Sequence, residues 1–229
     1  MVSIDTVYQR VLALANKEQR GYITPQEFNL FANQAQMDIF EQYFYDLNQF
    51  RRLSGNDTLY ADMVDILEDK ISIFKKGPNT LSSSGIDISA IPGSTSDEVY
   101  RVTDLNFGGK ILEEIRYEDY YKLQTPLTKP STSRPVFWKK DGKIYWTPNS
   151  GAVGAHWIRK PVKVNWSSYT LSGSELYDSN NSDDFELHPS EETKLVIKIL
   201  GLAGITLKDP ALYQIAGAED NKNIQQEKQ

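Results

Sequence analysis

The sequence contains two histidines, the side chains that most readily serve acid–base catalysis or metal binding near neutral pH. His156 lies in a predicted strand, and His188 stands 32 residues later, directly before a predicted helix. This spacing matches no zinc-binding motif, and the chain has no phosphate loop, no serine-hydrolase elbow and no cysteine. We therefore predict no catalytic, cofactor-binding or metal-binding residue, and a protein that is not an enzyme.

The segment from Asn16 to Glu27 has the length of an EF-hand calcium loop, with helices predicted on both sides. Its third and fifth positions are Glu18 and Arg20, where small oxygen ligands are needed, and an arginine there would repel Ca²⁺. We interpret the segment as a plain turn between two helices. The acidic run from Asp178 to Glu186 could bind a hard cation, but a solvated polar loop is the more ordinary interpretation.

Basic strands in the middle of the chain indicate a possible surface for nucleic acid, because aromatic rings interleaved with lysines can stack unpaired bases. The aromatic residues concerned are Trp138, Trp146 and Trp157. Tryptophan in a strand is more often part of a core, so this remains the alternative function: an intracellular nucleic-acid-binding module that uses the basic β-domain.

Charge is unevenly distributed along this acidic chain, whose net charge is −6. Residues 129–163 contain eight Lys or Arg and one acid, whereas residues 164–192 contain seven acids and no Lys or Arg. The ordinary interpretation is two solvated faces or pairing within one subunit. The alternative is that the basic block of one copy meets the acidic block of the next, a head-to-tail contact of the kind that generates rings.

The elements that would position these residues are organised around a long helix predicted from Thr24 to Phe50. Thr24 is an N-cap, Pro25 fits the first turn, and Glu27 can bond back to the cap. Apolar residues recur at helical spacing on two opposite sides, which predicts a helix that lies between neighbours. One row is Phe28, Phe31, Ala35, Ile39 and Tyr43, and the other is Met37, Phe40, Phe44 and Leu47.

Around this helix the sequence predicts an α+β fold: an N-terminal helical bundle, an inserted small antiparallel β-domain, and C-terminal helices. The predicted domains are 1–78, 79–187 and 188–229. The third helix is expected to turn extended by Ile71–Ile73 and to close at Lys76-Gly77-Pro78. Strands are predicted at Val99–Asn106, Ile111–Tyr117 and Ala152–Lys160, with the clearest hairpin at Val136–Lys139 and Lys143–Thr147.

The last part of the chain is predicted to be helical, with a first helix near Pro189 and another from Pro210. Residues 219–229 contain one large apolar residue, Ile224, so this tail cannot be stabilised by burial in its own subunit. We expect it to dock onto a partner.

Several stretches of the sequence are distinctive: Val7–Asn29, Ala35-Gln36 with Ile39–Glu41, Trp157–Pro161 with Trp166, Asp184–Ser190, Lys198–Ile205 and Gln226–Gln229. They resemble virion structural proteins of crAss-like and related tailed phages, and the resemblance extends over nearly the whole chain.

The resemblance implies a ring or adaptor component of the head-to-tail connector, below a dodecameric portal. The implied partners are further copies of the chain in a homo-oligomeric ring, expected to be a dodecamer, the portal protein or other tail ring proteins, and genomic DNA that passes without sequence recognition. No cofactor is implied. An acidic chain suits a channel in which DNA must slide. The implied location is the neck or tail of a virion assembled in the host cytoplasm, which agrees with the absence of any apolar run long enough for a membrane span.

Overall fold

N-terminal helices, a region of mostly antiparallel strands in the middle and a C-terminal helix make this an α+β protein, as predicted. The computed structural model describes residues 1–17, 23–52, 58–91, 98–149, 151–171, 174–206 and 218. The predicted helix from Pro210 and the predicted docking tail, residues 219–229, lie outside these residues.

The described part of the chain has, in order, three α-helices, five strands, one α-helix, five strands and a last α-helix. The helices are α1 (Ile4–Lys17), α2 (Pro25–Arg52), α3 (Thr58–Ser72), α4 (Tyr117–Lys122) and α5 (Glu192–Thr206). The strands are β1 (Lys75–Leu81), β2 (Ile86–Asp87), β3 (Val99–Phe107), β4 (Lys110–Ile111), β5 (Glu113–Glu114), β6 (Val136–Lys140), β7 (Lys143–Thr147), β8 (Val153–Arg159), β9 (Ser168–Leu171) and β10 (Ser174–Tyr177).

The long helix α2 begins with the predicted reciprocal cap. The backbone N–H of Thr24 donates to the Glu27 carboxylate at 3.0 Å, and the Glu27 N–H donates to the Thr24 hydroxyl at 3.3 Å. The hydrogen bonds from the Thr24 backbone and side chain hold the pKa of Glu27 below its usual value. Apolar residues from both predicted rows are buried, including Ile39 and Phe40, and the helix packs against α3 and α5. Helix α2 therefore lies between neighbours within its own subunit.

The side of α2 that carries Phe40 also holds an extended segment, residues 162–166, through side-chain amides. Asn33 accepts a hydrogen bond from the Val164 N–H at 3.0 Å and donates to the Val164 carbonyl at 2.9 Å. One turn earlier, Asn29 makes the same pair of bonds with the Trp166 backbone, at 2.8 and 3.1 Å. These side chains do for the segment what a neighbouring strand would do, because they satisfy both of its backbone groups at alternate residues.

The third rung of this amide ladder is Gln36. Its side chain donates to the Val162 carbonyl at 2.8 Å and accepts from the Glu186 N–H at 3.2 Å. The Glu186 carboxylate in turn accepts from the Val162 N–H at 2.9 Å. Because Gln36 and Glu186 are both buried, each of these polar groups needs the partner it has. We call Asn29, Asn33 and Gln36, with the backbone they hold, the amide ladder.

The chain divides into a helical unit, Met1–Ile73 with Pro161–Gln229, and a β-rich unit, Phe74–Lys160. The segment 161–187 differs from the prediction, which placed it in the β-rich insertion 79–187. The amide ladder ties it to α2, and the indole N–H of Trp166 donates to Asp5 of α1 at 3.1 Å. Its strands β9 and β10 form a separate hairpin that pairs with no other strand in the described part of the chain.

The β-rich unit contains two four-stranded sheets with a shared core. One sheet has the order β1-β8-β3-β4 and is antiparallel; the other has the order β2-β7-β6-β5, with β5 parallel to β6. The predicted hairpin β6–β7 is present. Buried residues of both sheets form one cluster, which includes Phe137, Trp146 and Trp157.

Two predictions near the ends of strands are wrong. Helix α3 continues to Ser72, and Lys76-Gly77-Pro78 lies inside β1 instead of closing the segment. The register of β1 shifts between Lys76 and Asn79, and Gly77 has φ +116°, where an added Cβ would lie 2.5 Å from the Ala155 carbonyl oxygen. An irregularity in the ladder therefore accommodates the two residues that usually end a strand.

The predicted return strand Ile111–Tyr117 is also wrong, because the chain changes sheet within it. Lys110–Ile111 pairs with β3, whereas Glu113–Glu114 pairs with β6. Between them the buried side chain of Leu112 enters the shared core. The chain then turns helical at Tyr117.

Removal of one rung of the amide ladder should destabilise the helical unit. We expect Asn33→Ala to lower the free energy of unfolding by about 1–3 kcal/mol, because the backbone N–H and C=O of buried Val164 lose their partner. Asn48→Ala is the matched control: Asn48 is an exposed asparagine of the same helix, so the change has the same effect on helix propensity. Urea denaturation of the two variants checks this, and equal midpoints would contradict it.

Candidate interaction surface

The sequence predicts no catalytic or metal-binding role for His156 or His188, and each has a structural place in the described chain. His156 lies within β8, and His188 accepts a hydrogen bond from the Ser190 N–H at 3.3 Å, which caps the short turn before α5. Within residues 1–17, 23–52 and the other described ranges, no group of three or more His, Asp or Glu side chains is placed to hold a metal ion. Most of the EF-hand-like segment, residues 18–22, lies outside the described chain.

The acidic run forms hydrogen bonds within the chain. Asp178 accepts from the Asn181 side chain at 2.7 Å and from the Asn180 N–H at 3.0 Å, and these bonds keep its pKa below the usual value. Asp184 accepts from the N–H of Ile4 at the start of α1 at 2.8 Å. The run is therefore a set of turns and caps.

The tryptophans that could have stacked nucleic acid are buried. The exposed fractions of Trp138, Trp146 and Trp157 are 7, 2 and 1%. Trp146 and Trp157 belong to the core between the sheets. Trp138 lies on the other side of its sheet, where the ring of Tyr120 covers it with a centroid distance of 4.2 Å.

That outer side carries a group of tyrosines that the sequence analysis missed. Helix α4 has the sequence YEDYYK, so Tyr117, Tyr120 and Tyr121 share one face at the spacing i, i+3 and i+4. The hydroxyls of Tyr117 and Tyr121 are 2.8 Å apart, and their rings meet edge to face at 5.5 Å. Tyr121 is 63% exposed.

Strand β6 provides the base and the charge of this surface. Alternation along the strand places Trp138 and Lys140 on the same side of the sheet. Trp138 stacks on its cross-strand partner Tyr145, with a centroid distance of 6.0 Å and an angle of 10°. The Lys140 ammonium lies 4.2 Å from the centroid of the Tyr117 ring, a cation–π geometry. We call Tyr117, Tyr120, Tyr121 and Lys140 the tyrosine–lysine face.

The hydrogen bonds of this face shift the affinities of its groups for protons. The Tyr121 hydroxyl, and then the Lys140 ammonium, lower the pKa of Tyr117 because both stabilise the phenolate. The pKa of Tyr121 is raised by its bond to Tyr117, and that of Lys140 is raised by Tyr117. Lys140 thus stays charged at neutral pH and is held in place by an aromatic ring.

A buried ionic contact occurs in the helical unit. The Lys70 ammonium lies 2.6 Å from the Glu191 carboxylate, and their side chains are only 17 and 3% exposed. Lys70 borders a pocket of about 40 Å³, lined by residues of α2, α3 and α5 that include Asp46 and Lys194. A pocket of this size holds a few waters at most, so we assign the cluster a structural role.

Several members of the two charge blocks pair with other residues of the same chain. In the basic block, Arg134 binds Glu113 at 2.9 Å and Lys139 binds Glu114 at 2.9 Å. In the acidic block, Glu191 binds Lys70, and Glu192 binds Arg10 at 2.8 Å. These contacts agree with pairing inside one subunit for these residues. Lys140 and Lys143 of the basic block form no ion pair with any residue that the structure describes.

No protein-family profile matches the sequence, and no curated protein matches it significantly. Among the described helices, none is long and apolar enough to cross a membrane.

The hydrogen bond between the two tyrosine hydroxyls predicts that the pKa of Tyr117 depends on Tyr121. We expect Tyr121→Phe to raise the pKa of Tyr117 toward its ordinary value, because the phenolate loses its largest stabilising contact, and Lys140→Met to raise it as well. The shifts are measured by NMR titration of ¹³Cζ-labelled tyrosine. Tyr169→Phe, an exposed change on β9, is the control and should leave the Tyr117 curve unchanged.

Loss of an ion pair should lower the stability of the protein more when the pair is buried than when it is exposed. We expect Lys70→Met to cost about 3–5 kcal/mol, since Glu191 would keep a buried carboxylate without its cation. The control Lys122→Met removes an exposed pair, 76 and 45% accessible, and should cost no more than about 0.5 kcal/mol. In thermal denaturation, Lys70→Met with Glu191→Gln should be more stable than Lys70→Met alone; the reverse order would contradict the account.

Proposed function

We propose that this chain is a non-enzymatic structural subunit of a phage head-to-tail connector ring, which stacks below the portal and forms part of the DNA conduit. The observation that carries the proposal is the tyrosine–lysine face: three tyrosines of α4 and Lys140 of β6 lie together, with Tyr121 exposed, and form a surface for another macromolecule. The sequence resemblance to virion structural proteins supplies the biological setting.

The composition of this face suits a protein–protein contact. Tyrosine and tryptophan are enriched at the centres of interfaces, where they contribute large areas at a small entropic cost. Here the exposed ring of Tyr121 is supported by Tyr120, which rests on buried Trp138. A surface built on a strand and a packed helix keeps its geometry before a partner arrives.

The helical unit suits a subunit that has to transmit load through a particle. Helix α2 is buried along one apolar side, and its other side combines buried Phe40 with the amide ladder. Such a helix has few alternative arrangements, because each displacement would break buried hydrogen bonds. The proposed partners are neighbouring copies, the portal or adjoining ring proteins, with the tail 219–229 as a docking segment.

A second candidate, a nucleic-acid-binding module, is favoured by one feature of the same face. Lys140 and the exposed ring of Tyr121 lie together on the β-rich unit, as cations and aromatic rings do in single-strand binding grooves. Because the three tryptophans are buried, any stacking would fall on tyrosine. Oligonucleotide binding that weakens with added salt would favour this candidate over the ring.

Counting copies in the particle tests the proposal. Quantitative mass spectrometry of purified virions should find this chain in a fixed, small whole-number ratio to the portal protein, because a stacked ring has a defined copy number. The major capsid protein serves as the internal standard. The proposal fails if the chain is missing from particles and accumulates free in infected cells, and the nucleic-acid module would then replace it.

A further inference from the structure

We propose that the tyrosine–lysine face of one copy docks onto the acidic turn, Asp178 to Asp183, of a second copy. The inference rests on the proposed ring and names the residues of its subunit contact. The face belongs to the β-rich unit and the turn to the helical unit, so the two surfaces differ. A contact between them is heterologous, the type that closes into rings.

The lysines of the contact lie at the end of the β6–β7 hairpin. Lys140 and Lys143 are cross-strand partners there, and neither forms an ion pair within the described residues. Two aspartates are nearby: Asp141 follows Lys140, and Asp87 is the partner of Lys143 on β2. Lys140 is fixed above the Tyr117 ring, so little side-chain entropy is left to lose when it meets a carboxylate. The exposed ring of Tyr121 adjoins it through the hydroxyl pair and provides the apolar area.

The negative side is equally fixed. The turn is closed by backbone bonds between Asn165 and Asp183, at 2.8 and 3.3 Å, and by the bond from the Asn165 side chain to the Asn181 carbonyl at 3.0 Å. Asp178 and Asp183 form no ion pair with a described residue, whereas Glu191 and Glu192 of the same block do. Asp183 is exposed and therefore available to a cation from outside, whereas Asp178 also accepts hydrogen bonds from Asn180 and Asn181.

Apolar side chains next to the turn match the tyrosines. Tyr169 and Leu176 are cross-strand partners in the β9–β10 hairpin, and they are 49 and 40% exposed. Tyr177, directly before the turn, stacks on Trp166 and so links the hairpin to the helical unit. An aromatic and an aliphatic side chain beside two carboxylates complement a face of tyrosines beside two lysines.

A second copy is the occupant that the charges favour. The lysines of the face and the aspartates of the turn carry opposite charges, and neither set forms an ion pair with a described residue. A nucleic acid would satisfy the lysines but would be repelled by the turn. Only another copy uses both surfaces.

A charge exchange tests the contact. We expect Lys140→Glu and Asp183→Lys each to weaken self-association at least about tenfold, because a like-charge contact replaces an opposite-charge one. The protein that carries both changes should associate within about threefold of wild type, since the pair is restored with its signs reversed. Lys110→Glu, an exposed lysine on β4 of the same unit, is the control and should associate as wild type does. Sedimentation velocity of the full chain gives the constants, and thermal denaturation confirms that each variant is folded.

A cross-linking measurement identifies the contact directly. Equal amounts of ¹⁴N- and ¹⁵N-labelled protein are treated with a carbodiimide, and mixed-isotope links from Lys140 or Lys143 to Asp178 or Asp183 are expected.

Three results would overturn the inference. They are single variants that associate normally, a double variant no better than the single ones, and wild-type protein that stays monomeric up to its solubility limit without mixed links. Oligonucleotide binding abolished by Lys140→Glu would reassign the face to nucleic acid. Each of these can occur while the chain is still found in a whole-number ratio to the portal, so the contact and the ring proposal fail separately.

Discussion

The amide ladder is the interaction on which the arrangement of the helical unit depends. After the chain leaves the β-rich unit at Lys160, its extended backbone must be satisfied on the side of a helix, where no strand is available. Asn29, Asn33 and Gln36 provide the missing donors and acceptors. This fixes residues 162–166, and with them the indole of Trp166, which packs on Tyr8 at 4.2 Å and bonds to Asp5. Helices α1 and α2 are thus joined through a segment far from both in sequence.

Rigid elements beneath the two exposed surfaces hold their residues in fixed positions. These surfaces are therefore specific, and they differ from a surface that is merely polar. Some charged residues on each unit have partners in the same chain, such as Lys139 with Glu114 and Lys70 with Glu191. An exposed pair adds little to stability, so its main effect is to cancel charge locally. Lys140 on one unit and Asp183 on the other form no ion pair with a described residue, so both contribute to the short-range field that a partner meets.

Local patterns made much of the fold predictable. The cap at Thr24 and the two apolar rows predict α2 to within two residues, and the Asp141-Gly142 turn predicts the β6–β7 hairpin. The wrong predictions concern segments whose structure depends on residues that are distant in sequence. Pro78 lies within β1 because an irregular ladder with β8 accepts it, and residues 161–187 join the helical unit through side chains about 130 positions earlier. The tyrosine–lysine face has a local signal in YEDYY, but α4 spans only six residues, and its role depends on the strand beneath it.

The amide ladder joins two structures with different repeats, and this limits its length. Its rungs on α2 are separated by four and then three residues, a rise of about 6.0 and about 4.5 Å, whereas two residues of extended chain span about 6.6 Å. Over two intervals the rungs on the helix therefore advance roughly 3 Å less than the backbone groups that they bind. The last rung is glutamine, whose extra methylene spans part of that gap, and the next helical position on this side is apolar Phe40. Gain or loss of one residue between Pro161 and Trp166 would move the backbone groups by about half a rung, so that carbonyls and N–H groups point away from all three amides. The spacing of the ladder therefore sets the length of this connection.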